Sequence, residues 1–95
     1  MEDLRNQLAE ELANIEWSSL VPHAQRDALI VVDASVSIVD VGVALANDDV
    51  SSVQRWIADK TIYKPSPEQL SVWNQEPERE FSTLIVQPFV LVGAA

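Results

Sequence analysis

The chain contains no cysteine, one histidine and only two glycines in 95 residues. Without thiols there is no disulfide framework and no thiolate zinc or iron–sulfur centre. Any zinc site would have to come from His23 and carboxylates. Gly42 and Gly93 stand far apart and cannot form a glycine-rich phosphate cradle. No serine lies in a Gly-x-Ser-x-Gly turn, so nothing in the chain reads as a hydrolase triad. Basic residues are scarce as well. Six Lys and Arg oppose 15 Asp and Glu, a net charge of -9, and Arg5, Arg26, Arg55, Lys60, Lys64 and Arg79 are scattered. Nucleic acids and anionic membranes require clustered cations, so neither is an expected partner. No segment reaches the ~18 apolar residues of a membrane span. The longest apolar stretch, 28–46, is interrupted by Asp33 and Asp40. The start, Met1-Glu2-Asp3-Leu4-Arg5, has neither the basic nor the apolar region of a signal peptide, and the expected location is the cytoplasm.

What the chain does have is an ordinary apolar content of 47%, enough for one folded domain over 1–95. Leu4, Leu8, Leu12 and Ile15 form one stripe and predict a helix over 3 to about 15, with Asp3 capping its first turn. Ser18 and Ser19 read as N-caps of a second helix through Arg26, with Pro22 in its first turn. The apolar run 28–33 predicts a buried strand. Segment 37–46 alternates Val39, Val41, Val43 and Leu45 with other residues, and reads as a second, antiparallel strand. A helix is the alternative, against which the β-branched residues and Gly42 weigh. Asn47-Asp48-Asp49 forms a turn and caps a helix over 49–59 whose buried face would be Val50, Val53, Trp56 and Ile57. Ile62 and Tyr63 follow, briefly extended. Ser66-Pro67-Glu68-Gln69 fits a capping box and starts a helix to about Gln75. A last strand spans 82–92, with Pro88 at a bulge or an edge.

These elements give an α+β fold in the order α-α-β-β-α-α-β, a three-stranded, mainly antiparallel sheet with about four helices. Leu29–Val32 and Leu84–Val86 are apolar on both faces, which a one-sided sheet does not explain. A homodimer, with a second copy covering one face, is therefore expected.

The ordered set Ile15-Glu16-Trp17, Leu29 to Asp33, Val41-Gly42-Val43-Ala44, Asp48-Asp49, Val53, Trp56, Pro65 to Gln69, Trp73 and Val86 to Leu91 resembles a small bacterial family of uncharacterised single-domain proteins, the domain of unknown function 2288. The resemblance covers nearly the whole chain. It implies one bacterial cytoplasmic domain and brings no reaction, ligand or cofactor with it. Where the family tends to carry glycine after the second helix, this chain has Asp27, and aspartate also tolerates left-handed backbone.

Seven residues are candidates for a ligand site or an interface. Trp17, Trp56 and Trp73 could be core rings or could face a partner, because tryptophan serves both. Tyr63, Lys60 and Lys64 stand near Trp56, and Asp40 interrupts an apolar segment, where burial would raise its pKa. Asp48 and Asp49 with Asp33 or Asp40 are a conceivable oxygen-ligand set, but helix capping explains the first two more simply. No catalytic residue, metal or cofactor is assigned. The expected function is a non-enzymatic protein-interaction module that self-associates and has an unidentified protein partner. The alternative is a small-molecule-binding or enzymatic domain with an aromatic pocket near Trp56, Tyr63 and Trp73.

Overall fold

The computed structural model describes residues 4–93. Five helices and a five-stranded mixed sheet form an α+β fold among these residues. The chain runs α1 (Leu4–Glu11), β1 (Ala13–Glu16), α2 (Trp17–Gln25), β2 (Leu29–Val32), α3 (Ile38–Ala46), α4 (Val50–Ala58), β3 (Ile62–Tyr63), α5 (Pro67–Asn74), β4 (Glu80–Val86) and β5 (Phe89–Gly93). The strand order is β1-β4-β5-β2-β3, with β2 parallel to β5 and the other pairs antiparallel.

Strand alternation divides the core in two. Leu29 and Val31 of β2, Phe81 of β4, and Val90 and Val92 of β5 face α2 and α5, where Trp17, Leu20 and Trp73 close the layer. Val32, Leu84 and Leu91 face the opposite side, with Leu8 of α1 and Val39 and Val41 of α3. The two-faced strands are thus covered by helices of their own chain, so the sequence argument for a second copy over the sheet falls.

Four expectations need correcting. Segment 37–46 is the helix α3, not a strand. The Ser37 hydroxyl accepts a hydrogen bond from the Val39 amide at its start, and β5 and β3 flank β2, the places a hairpin partner would need. The first helix stops at Glu11, and Ala13–Glu16 instead pairs with β4, Ile15 opposite Phe81. Pairing an otherwise open strand outweighs helical periodicity here, and Leu12 is left exposed. Asp3, the cap expected for that helix, lies outside the described residues. The serines do not start α2 either. The Trp17 and Ser18 amides donate to the carbonyls of Arg79 and Pro77 at 2.8 and 3.1 Å, and Pro22 falls one turn deeper than its first turn. The last apolar run is two strands rather than one, joined at Gln87–Pro88 with Val86 opposite Phe89, so Pro88 occupies a turn. The result is five strands, not three, and a different element order.

Other local signals hold. Asp49 caps α4, and Ser66 and Gln69 make the reciprocal capping-box bonds of α5 with Pro67 at its first position. The short strand at Ile62–Tyr63 is present and pairs with β2.

With glycine so scarce, three helices end on left-handed residues of other kinds: Asp27 after α2 at φ 62°, Asp48 after α3 at 55° and Lys60 after α4 at 61°. Each helix closes with the paired bonds of a Schellman turn. At α4 the Thr61 amide donates to Trp56 O at 2.8 Å and the Lys60 amide to Ile57 O at 3.0 Å. Aspartate suits this backbone, but lysine has no such local advantage. Lys60→Gly is expected to stabilise the fold by about 1 kcal/mol, measured by urea denaturation; a loss of stability would contradict it.

Candidate functional site

The candidate site is built on α4. Among the described helices α4 has the sharpest division into apolar and polar faces, yet none of its residues is buried. The sequence places Val50, Val53 and Ile57 on one stripe, as expected. Val53 and Trp56 are half-buried against the α3 side of the core, but Val50 and Ile57 are 59% and 56% exposed, which corrects the reading that all four are inside. The Asp49 carboxylate accepts from the Ser52 hydroxyl at 2.8 Å and the Ser52 amide at 3.2 Å, and these bonds hold its pKa below the ordinary aspartate value. Asp33, in the turn after β2, is likewise held down by the Ser35 hydroxyl and amide.

Two depressions lie along this face. The larger, about 460 Å³, runs between α4, the end of α3 and strands β2 and β3, and is lined by Ile30, Leu45, Val53, Ile57, Ile62, Tyr63, Lys64 and Phe89. The smaller, about 180 Å³, is lined by Asp48, Asp49, Val50 and Gln54, with Leu45, Val53 and Phe89 shared between the two. The shared residues join the two depressions, with Lys64 lining only the larger and the two aspartates only the smaller. The lining is mainly apolar, and its polar residues are Tyr63 and Lys64 in the larger groove and Asp48, Asp49 and Gln54 in the smaller.

The seven sequence candidates do not assemble into one site. Trp17 and Trp73 are buried rings of the α2–α5 core, centroids 5.1 Å apart, and Trp73 and Phe81 are 4.9 Å apart, both in edge-to-face contact. The Trp17 indole N–H donates to Asn74 Oδ1 at 2.8 Å. Trp56 packs on the opposite side of the sheet, so Trp56 and Trp73 do not line a common pocket. Lys64 borders the larger groove, and so does Tyr63, which also packs against the α2–α5 layer beside its ladder partner Val31. The Lys64 ammonium also meets Asp27 Oδ2 at 2.6 Å, an exposed pair of small energetic value. Lys60 is exposed where the chain leaves α4. Asp40, in the first turn of α3, is partly exposed and paired with Arg5 of α1, so it is not a carboxylate sequestered in an apolar core. Among the described residues no three His, Asp or Glu side chains gather as a metal-binding group, and no helix is long and apolar enough to cross a membrane.

Sequence reasoning missed Leu45, Ile57 and Phe89 as surface residues. The spacing of Val50, Val53 and Ile57 was a visible signal, but it does not tell a core stripe from an interface stripe. Phe89 reaches this face only because the chain turns at Pro88.

A family profile described as "Protein of unknown function (DUF2288)" matches residues 3–94. A solved structure, the NMR solution structure of PA1075 from Pseudomonas aeruginosa, is similar at 30% identity with a TM-score of 0.80, over 98% of this chain and 85% of that one. No protein with a curated description matches.

Proposed function

Since the chain belongs to the DUF2288 family of proteins of unknown function, membership brings no reaction with it, and we propose from the site that this protein is a non-enzymatic interaction module that self-associates through the exposed face of α4. The observation that carries the reading is the apolar stripe of α4, which the monomer leaves uncovered at Val50 and Ile57. An uncovered apolar face of this kind marks a contact surface or a ligand groove, and the helical stripe favours the first. The 3–4 spacing of Val50, Val53 and Ile57 is that of a helix seam, suited to packing against another helix.

The experiment is light scattering after size exclusion at micromolar concentration. The wild type is expected at twice the 10.5 kDa chain mass. Ile57→Asp is expected to elute as a monomer with unchanged circular dichroism, because the side chain is already 56% exposed and its loss costs the fold little. A wild type that stays monomeric would overturn the proposal.

A second reading rests on the size of the larger groove. Its 460 Å³ is within the range of small-molecule pockets, and a ligand with an apolar body and one carboxylate would fit Lys64. A long-chain carboxylic acid that raises the melting temperature of the wild type but not of Lys64→Ala would favour it.

A further inference from the structure

The α4 face is polarised along its length. Lys64 lines the larger groove alone, Asp48 and Asp49 line the smaller alone, and the two grooves meet at the shared Leu45, Val53 and Phe89. The helix repeats this polarity, with the two aspartates before its first turn, Arg55 in its last turn and Lys60 at its exit; Asp59 offsets one of those positive charges.

In a two-fold dimer the same patch meets itself, so residue i of one copy faces j of the other and j faces i. A two-fold axis through the shared apolar centre, perpendicular to α4, runs the second helix antiparallel to the first. Val50 then lies opposite Ile57 of the second copy, and the Lys64 end of each groove lies over the Asp48–Asp49 end of the other. A parallel arrangement would set Asp48 against Asp48 and Lys64 against Lys64. In a chain of net charge -9, most pairings of surfaces oppose acid to acid, whereas this one opposes unlike charges twice.

We infer that the occupant of the α4 face is a second copy of this chain, docked antiparallel, with Lys64 of each copy against Asp48 of the other. The inference rests on the self-association proposed above and adds its register. Lys64 exchanges its exposed partner Asp27 for the aspartates of the second copy.

Charge exchange tests the register. Asp48→Lys and Lys64→Glu, each alone, create a like-charge contact twice in the antiparallel dimer, and each is expected to weaken dimerisation at least about tenfold in sedimentation equilibrium. The double variant Asp48→Lys/Lys64→Glu restores both contacts and is expected to dimerise within about threefold of the wild type. Backbone strain does not prevent the first change, because Lys60 already occupies the equivalent left-handed position after α4. Circular dichroism confirms that each variant is folded. If Lys64→Glu folds poorly through its new neighbour Asp27, the double variant shares that defect, so recovery of dimerisation in the double remains diagnostic. If the singles dimerise like the wild type, or the double stays as weak as the singles, the register is overturned while self-association stands. A wild type that never dimerises overturns both.

Discussion

Replacing Trp17 with alanine is expected to lower the free energy of unfolding by about 3–5 kcal/mol, the usual cost of removing a large buried aromatic ring. Trp17 is 2% exposed and is the first residue of α2, directly after the edge strand β1. Its ring touches Trp73 of α5 and Phe81 of β4, so one side chain ties both helices of this layer to the sheet. Its indole N–H also satisfies Asn74 Oδ1, a bond that alanine cannot make. Stability for a domain of this size is about 5–15 kcal/mol, so the loss is a large share of the whole. Urea denaturation followed by circular dichroism measures it. Trp56→Ala is the control: its ring is only half-buried, and it is expected to cost less than half as much. Trp73→Ala removes a ring of the same cluster, so the Trp17/Trp73 double variant is expected to lose less than the sum of the two singles. Equal losses for Trp17→Ala and Trp56→Ala would contradict the division between core ring and surface-facing ring.

That division is one the sequence alone leaves open, and the reason is physical. Local chemistry was legible wherever a few neighbouring residues decide the outcome. The Ser66–Gln69 box and the Asp49 cap each depend on hydrogen bonds within a handful of positions. Elements decided by distant partners were not legible. Ala13–Glu16 has the periodicity of a helix and becomes a strand because β4, far along the chain, offers it an open edge, with Ala13 opposite Thr83 and Glu16 opposite Glu80. The candidate site divides in the same way. Val50, Val53 and Ile57 are recognisable as a stripe from spacing alone, but whether a stripe is covered depends on which elements come to lie over it. Tyr63 and Lys64 reach the site as residues of the β3 region, and Phe89 joins them only through the final hairpin. Trp17 and Trp73 leave it because α2 and α5 occupy the other face of the sheet.

Gly42→Val is expected to destabilise the fold by about 2–3 kcal/mol, although glycine is normally a poor residue for a helix interior. Gly42 lies in the middle of α3, and its backbone needs no left-handed freedom, since no glycine has positive φ among the described residues. What it provides is a close approach. A Cβ built there would sit 2.7 Å from Leu84 Cδ2 on β4 and 3.2 Å from Leu8 Cδ1 on α1. Leu84 is 1% exposed and has little room to retreat. Alanine adds that single carbon and regains roughly 1 kcal/mol of helix propensity, so Gly42→Ala is expected to lie within about 1 kcal/mol of the wild type. Valine adds two further methyl groups against packed leucines without a comparable propensity gain, and α3 must lift from the sheet to admit them. Thermal and urea denaturation of the two variants give the comparison, and a Gly42→Val protein as stable as the wild type would show that α3 is not seated this closely. The same contact explains why 37–46 misleads as a sequence. A glycine among β-branched residues counts against a helix when only local propensity is weighed, whereas here it is the residue that lets this helix press onto β4 and α1.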